Sequence, residues 1–241
     1  MGNAVPASPP RIEALADDAW LVTLGTSIDA ATNAAVHALA ARLRGNAPPW
    51  LRDVVPAYAS LAVFVDPLQI DPPAARDWVA THVAAGAVAA PGTGGARSAI
   101  EIPVLYGGDA GPDLAAAARE LGLDADELVA RHAAPIYTVA MIGFAPGFPY
   151  LSGLDPALAL PRLATPRTRV PAGSVAIGGA QTGIYPRESP GGWRLIGRTP
   201  CVLFDPQRAA PSLLFPGDRV RFRPVDATTF DALTVRTDGA K

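Results

Sequence analysis

The chain has 241 residues, 49% of them hydrophobic, a formal net charge of −2 and a pI of about 5.9. That is enough apolar material for one large core or two smaller ones, and the charge balance excludes the overall basic field expected of a protein whose main partner is nucleic acid. The start, MGNAVPASPP, lacks both the basic and the apolar parts of a secretory signal, and no apolar run reaches membrane-spanning length, so a cytoplasmic protein with no membrane partner is expected.

Residues 11–16 and 19–24 read as two short strands around an Asp17-Asp18 turn, the second alternating as LVTLG. Ser27 is placed to cap a helix running to about Arg44, stopped by Gly45 and the Pro48-Pro49 pair. Strand-like runs follow at 54–59 and 61–66, and a helix is predicted over 72–89 with proline in its first turn. The order is ββαββα, an α+β layer whose helices offer apolar stripes (Ala35, Leu39, Leu43; Trp78, Val79, Val83) to one face of the strands. PGTGGARS, residues 91–98, is the candidate boundary, dividing the chain into an α+β domain over 1–92 and a second domain over 98–241.

Beyond it a strand at 100–106 leads to Gly111-Pro112-Asp113, which opens a helix to about Leu121, and Asp124 opens another ending near His132. After Pro135 the chain reads almost wholly as strand and loop, closing with PGDRVRF over 216–222. From Gly143 to Gly217 there are 23 Pro or Gly in 75 residues, alternating with short apolar runs; this texture favours a closed barrel or a sandwich over a doubly wound sheet. Cys201, the single cysteine, cannot form an internal disulfide, and in the run CVLF it reads as a buried strand residue.

The chemistry is notable for what is missing. A Walker loop needs a lysine after its second glycine, and the only lysine is Lys241. GxSxG, HExxH, CxxC and GxGxxG are also absent, and Ser174 in AGSVA has no nucleophile elbow around it. What remains is a basic stretch: seven arginines (Arg162, Arg167, Arg169, Arg187, Arg194, Arg198, Arg208) against three acids between 143 and 217, a local charge of +4. Guanidinium groups on proline-stiffened loops suit a carboxylate or phosphate. Arg167 and Arg169 in TPRTRVPAG fall on one side of an extended segment and are expected to form an anion-binding fork. His132 either points into a cleft as a general acid or base or caps the C-terminus of its helix. Tyr137, Phe144, Phe148, Tyr150, Tyr185 and Trp193 either line a ligand groove or fill a barrel core, with Phe144 and Phe148 expected on an exposed, kinked loop.

GFAPGFPYL, PRxxTPRTRVPAGSVAIGG, QTGIYP, SPGGW and PGDRVRF together resemble the family of 5-oxoprolinase B subunits, also called the KipI or allophanate-hydrolase-subunit-1 family. The resemblance runs from Gly111 to Phe222 and extends more loosely to the first domain. It implies a cyclophilin-like β-barrel after the α+β domain. It also implies work beside two partners, the KipA-like C subunit of 5-oxoprolinase and its lactam-utilisation A subunit, in the ATP-dependent opening of 5-oxo-L-proline to L-glutamate. Gln181 and Arg198, within or beside these motifs, join Phe144, Phe148, Tyr150, Tyr185 and Trp193 as expected substrate-binding residues. ATP is expected as co-substrate shared with the partners, with no metal or biotin on this chain. Other readings that the resemblance leaves open are a KipI-type inhibitor of a histidine kinase and a component of a biotin-dependent carboxyltransferase.

Overall fold

A computed structural model describes residues 9–85 and 98–238; most of the expected boundary segment, 91–97, lies outside the described residues, as does the end of the second predicted helix. The chain divides into two units, residues 1–96 and 97–241.

In the first unit β1 (Arg11–Ala16), β2 (Ala19–Thr23), β3 (Leu51–Pro56) and β4 (Ser60–Val65) form an antiparallel sheet in the order β1-β2-β4-β3. The helices α1 (Ala30–Gly45) and α2 (Pro72–Ala84) complete ββαββα. Alternation in β4 buries Leu61, Val63 and Val65, and the helices answer with Val36, Leu39, Ala40 and Leu43 from α1 and Ala75 and Val79 from α2. One apolar face of strands thus meets one stripe on each helix. Two details differ from expectation. Asp29, not Ser27, caps α1, accepting from Thr32 N at 2.8 Å while the Ser27 hydroxyl donates to its carboxylate. The strand β3 begins earlier than predicted because Leu51 N already bonds Pro48 O and the turn closes from Ala57 N to Ser60 O, which leaves residues 57–59 as the connection.

The second unit is a closed seven-stranded barrel. Its strands are β5 (Ile100–Tyr106), β6 (Tyr137–Ile142), β7 (Pro149–Ser152), β9 (Ser174–Gly178), β10 (Gln181–Ile184), β12 (Arg194–Arg198) and β13 (Arg219–Pro224), closed in the order β10-β7-β6-β13-β5-β12-β9. The pair β5 and β13 is parallel and the other neighbours antiparallel. A separate two-stranded ribbon joins β8 (Arg167–Val170) to β11 (Ser189–Gly191). The helices α3 (Leu114–Leu121) and α4 (Ala125–Ala133) follow β5, and Asp124 caps α4 through Glu127 N.

A closing helix, α5 (Ala227–Asp238), has no counterpart among the predicted elements. Its sequence, ATTFDALTVRTD, is rich in β-branched residues, which are weak helix formers; the signal that announces it is Asp226, whose carboxylate accepts from Thr229 N at 2.7 Å. Cys201 is half-buried and lies in a loop, not a strand, because the chain leaves the barrel after Arg198 and does not re-enter until β13. No helix among the described residues is long and apolar enough to cross a membrane.

Candidate functional site

The strand β9 is buried at every position, which a barrel strand with one solvated face would not be. Its inward residues, Val175 and Ile177, belong to the barrel core, whereas Ala176 faces outward and is covered by a second apolar cluster: Ala145, Phe148, Val170, Tyr185, Trp193 and Leu195, with Tyr150 against it. The aromatics lie close to the sheet because outward positions beneath them are glycine. A Cβ on Gly178 would stand 2.5 Å from the Trp193 ring, and one on Gly183 would meet Phe148 at 3.1 Å and Pro149 O at 2.8 Å.

The rings pack edge to face, except that Tyr150 is tilted at 53° to Phe148. Phe148 is central, with centroids 4.8 Å from Tyr150, 5.1 Å from Tyr185, 5.7 Å from Trp193 and 5.4 Å from Phe144. Tyr150 and Trp193 are 5.8 Å apart. The expectation of two exposed phenylalanines is corrected for one of them: Phe148 is 2% exposed, whereas Phe144 is 62% exposed. The reason is the tight turn they share, in which Phe148 N bonds Ala145 O and Gly143 N bonds Phe148 O, so the second ring folds under onto Gly183 and the first is left at the rim. Phe144 has φ of 63°, the only positive value at a non-glycine residue among those described. Holding a side chain there costs on the order of 1 kcal/mol or more, and such positions concentrate where function needs them.

The predicted fork of Arg167 and Arg169 is not formed. Arg169 makes a two-pronged pair with Glu188, both contacts at 2.9 Å, on the exposed side of the ribbon. Arg167 instead reaches Asp113, Nη2 to Oδ1 at 2.6 Å, and the other oxygen of Asp113 accepts from Leu195 N at 2.7 Å. Two arginines two residues apart share a side of the strand, yet each is engaged by a different carboxylate. Asp113 stands at the N-terminus of α3 as predicted, but makes no side-chain cap there. Its carboxylate ties the ribbon to β12, a role for which the sequence carries no signal. The second nitrogen of Arg167, Nη1, is buried without a hydrogen-bond partner.

Arg162, to which the sequence assigns no individual role, lies over the Trp193 ring with its guanidinium carbon 5.9 Å from the centroid. The backbone around it is pinned on both sides: Leu160 and Gly179 exchange both backbone hydrogen bonds, and Leu163 N bonds Gly192 O at 2.7 Å. Burial pushes the Tyr185 and Tyr150 phenols above their ordinary range, and Tyr150 adds to the rise at Tyr185; the Trp193 backbone N–H, Arg162 and Arg167 pull Tyr185 the other way, and Arg162 does so for Tyr150. Both phenols therefore stay protonated at neutral pH and can donate. Of the remaining predicted residues, Arg198 is exposed with Nε on Ala172 O at 2.8 Å, and Gln181 is half-buried at the start of β10.

His132 faces no cleft and caps no helix end. It is 0% exposed, stacked on Phe222 at 4.7 Å inside the barrel. Thr182 Oγ1 donates to Ala176 O, so it must accept from His132 Nε2, and this fixes Nδ1 as the acceptor for the Tyr106 hydroxyl at 2.8 Å. Burial depresses its pKa from the ordinary 6.5 to about 3. The sequence places it correctly at the end of α4 but does not say that the helix end enters the barrel. No group of three or more His, Cys, Asp or Glu that could hold a metal is found among the described residues.

A closed barrel carrying an outer aromatic layer rimmed by arginine, preceded by a ββαββα unit, defines a carboxyltransferase-type subdomain pair. The chain belongs to the family described as "Carboxyltransferase domain, subdomain C and D", matched over residues 10–214. A Bacillus subtilis (strain 168) protein named as the B subunit of 5-oxoprolinase is 41% identical over 229 residues, 88% of this chain and 91% of that protein. Among solved structures, that of TTHA0988 superposes with a TM-score of 0.76 at 41% identity, covering 87% of this chain and 40% of that one. The Kluyveromyces lactis urea carboxylase shares the fold, with a TM-score of 0.73 at 19% identity over 97% of this chain and 24% of that chain.

Proposed function

We propose that this chain is one component of an ATP-dependent 5-oxoprolinase and that the outer aromatic layer is its share of the substrate site. The observation that carries the reading is the convergence of Phe148, Tyr150, Tyr185 and Trp193 with Arg162 and Arg167 on one face of the barrel. A small lactam ring has flat faces for the aromatics, a carbonyl oxygen for the protonated phenols and a carboxylate for a guanidinium. The name of the Bacillus subtilis relative supports the same assignment.

In this reading ATP phosphorylates the lactam carbonyl oxygen. ADP departs, water attacks the activated carbon, and the C–N bond opens as nitrogen takes up a proton, leaving an acyl phosphate; a second water hydrolyses that acyl phosphate to the free carboxylate and inorganic phosphate. The groups of the aromatic layer contribute hydrogen-bond donation and charge stabilisation at that oxygen rather than a nucleophile. The KipA-like and lactam-utilisation partners complete the site and share ATP with this chain. The test is ATP hydrolysis stimulated by 5-oxo-L-proline, measured on the chain alone, on the partners alone and on the mixture. Activity is expected only in the mixture; stimulated turnover by this chain alone, or full turnover by the partners without it, overturns the proposal.

A further inference from the structure

Most arginines bordering the aromatic layer are already engaged. Arg169 is spent on Glu188, Arg194 on Glu120 and Pro161 O, Arg198 Nε on Ala172 O, and one side of Arg167 on Asp113. Arg162 differs. No ion pair places a carboxylate against it among the described residues, it stands over Trp193, and its backbone is held at Leu160 and Leu163. Resting on the function proposed above, we infer that Arg162 is the receptor for the substrate's carboxylate, the residue that selects a cyclic amide bearing a carboxylate over one without it.

Three observations support this assignment. A guanidinium standing over an aromatic face, 5.9 Å from its centroid, is held there by the ring while its N–H donors remain available to a carboxylate, which can take two of them. Fixing the backbone on both sides lowers the ordering cost of using an otherwise exposed side chain. The half-buried Tyr150 phenol lies within electrostatic reach of Arg162, beside the place that a ligand carbonyl would take.

The experiment is calorimetric titration of the full chain mixed with its partner subunits. The titrants are 5-oxo-L-proline, pyrrolidin-2-one (the same ring without the carboxylate) and ATP, with wild type, Arg162→Gln, Arg162→Lys and, as a control on a distant exposed strand position, Arg221→Gln. Arg162→Gln is expected to weaken 5-oxo-L-proline binding by about tenfold or more, and Arg162→Lys by less, because lysine keeps the charge but not the planar double contact. Pyrrolidin-2-one binding and the melting temperature should be unchanged, and Arg221→Gln should match wild type. Unchanged 5-oxo-L-proline binding in Arg162→Gln, or a loss confined to ATP, overturns the inference while leaving the proposed function standing. If instead 5-oxo-L-proline does not bind while another small cyclic carboxylate does, with the same dependence on Arg162, the receptor stands and the proposed function falls. Absence of binding by any carboxylate overturns the receptor.

Discussion

Replacing His132 by glutamine should alter how stability depends on pH more than stability itself. The imidazole is buried and neutral in the fold, with a pKa near 3, and titrates at about 6.5 when the chain unfolds. Between those values the unfolded chain binds one more proton than the folded one, so stability is fully present above 6.5 and is lost as pH falls. One proton corresponds to a slope of about 1.4 kcal/mol per pH unit, and integration from pH 7.5 to 5 gives a loss of about 2 kcal/mol attributable to His132 alone. Glutamine can donate to Thr182 and accept from Tyr106, as the imidazole does, but does not titrate. Urea unfolding at half-unit pH steps should therefore give a variant curve flatter than wild type by that amount; every other group cancels in the difference. Parallel curves, or an imidazole whose proton resonances titrate near 6.5 in the native protein, would refute the buried, neutral assignment.

Phe148→Ala should unfold the aromatic layer rather than merely weaken a partner contact, with a loss of about 3 to 5 kcal/mol in denaturant titration. Gly178→Ala drives a methyl to 2.5 Å from the Trp193 ring and should cost roughly 1 to 3 kcal/mol, with a shift in tryptophan emission as that ring moves. Arg169→Gln removes only an exposed pair and should leave the melting temperature unchanged, whereas Arg167→Gln leaves Asp113 without its cation and should cost roughly 2 kcal/mol in a thermal or urea melt.

Where structure follows from local pattern, the sequence shows it. The ββαββα order is legible because each strand and helix there buries a face set by its own periodicity, as Leu61, Val63 and Val65 do in β4. Asp124 announces α4 through a cap that needs only its own neighbours. The site is legible in residue types and not in pairings. Spacing puts Arg167 and Arg169 on one side of a strand, but Asp113 and Glu188, which separate them, lie 54 and 19 positions away from their respective partners. Phe144 and Phe148 look alike in GFAPGFPYL; which one is buried depends on Gly183 in a different strand. The expectation for His132 fails for the same reason, since nothing near it in sequence shows that Phe222 and Thr182 enclose it.

The seam between β5 and β13 pairs Ile100 with Val220 and Val104 with Pro224, so residues 120 positions apart lie side by side. During synthesis, the sheet of the first unit has all its strands once residue 65 has emerged, and its widest pairing, Ala19 with Phe64, spans 45 positions. The barrel cannot close until residue 224 is free, and until then β5 presents an open edge on one side, with Ile102 and Val104 of the future core exposed beside it. Loop closure over that span is slow compared with forming a hairpin. Nascent chains halted shortly before β13 should therefore hold a folded first unit and an unclosed, aggregation-prone second one, making arrival of β13 the step that closes the barrel.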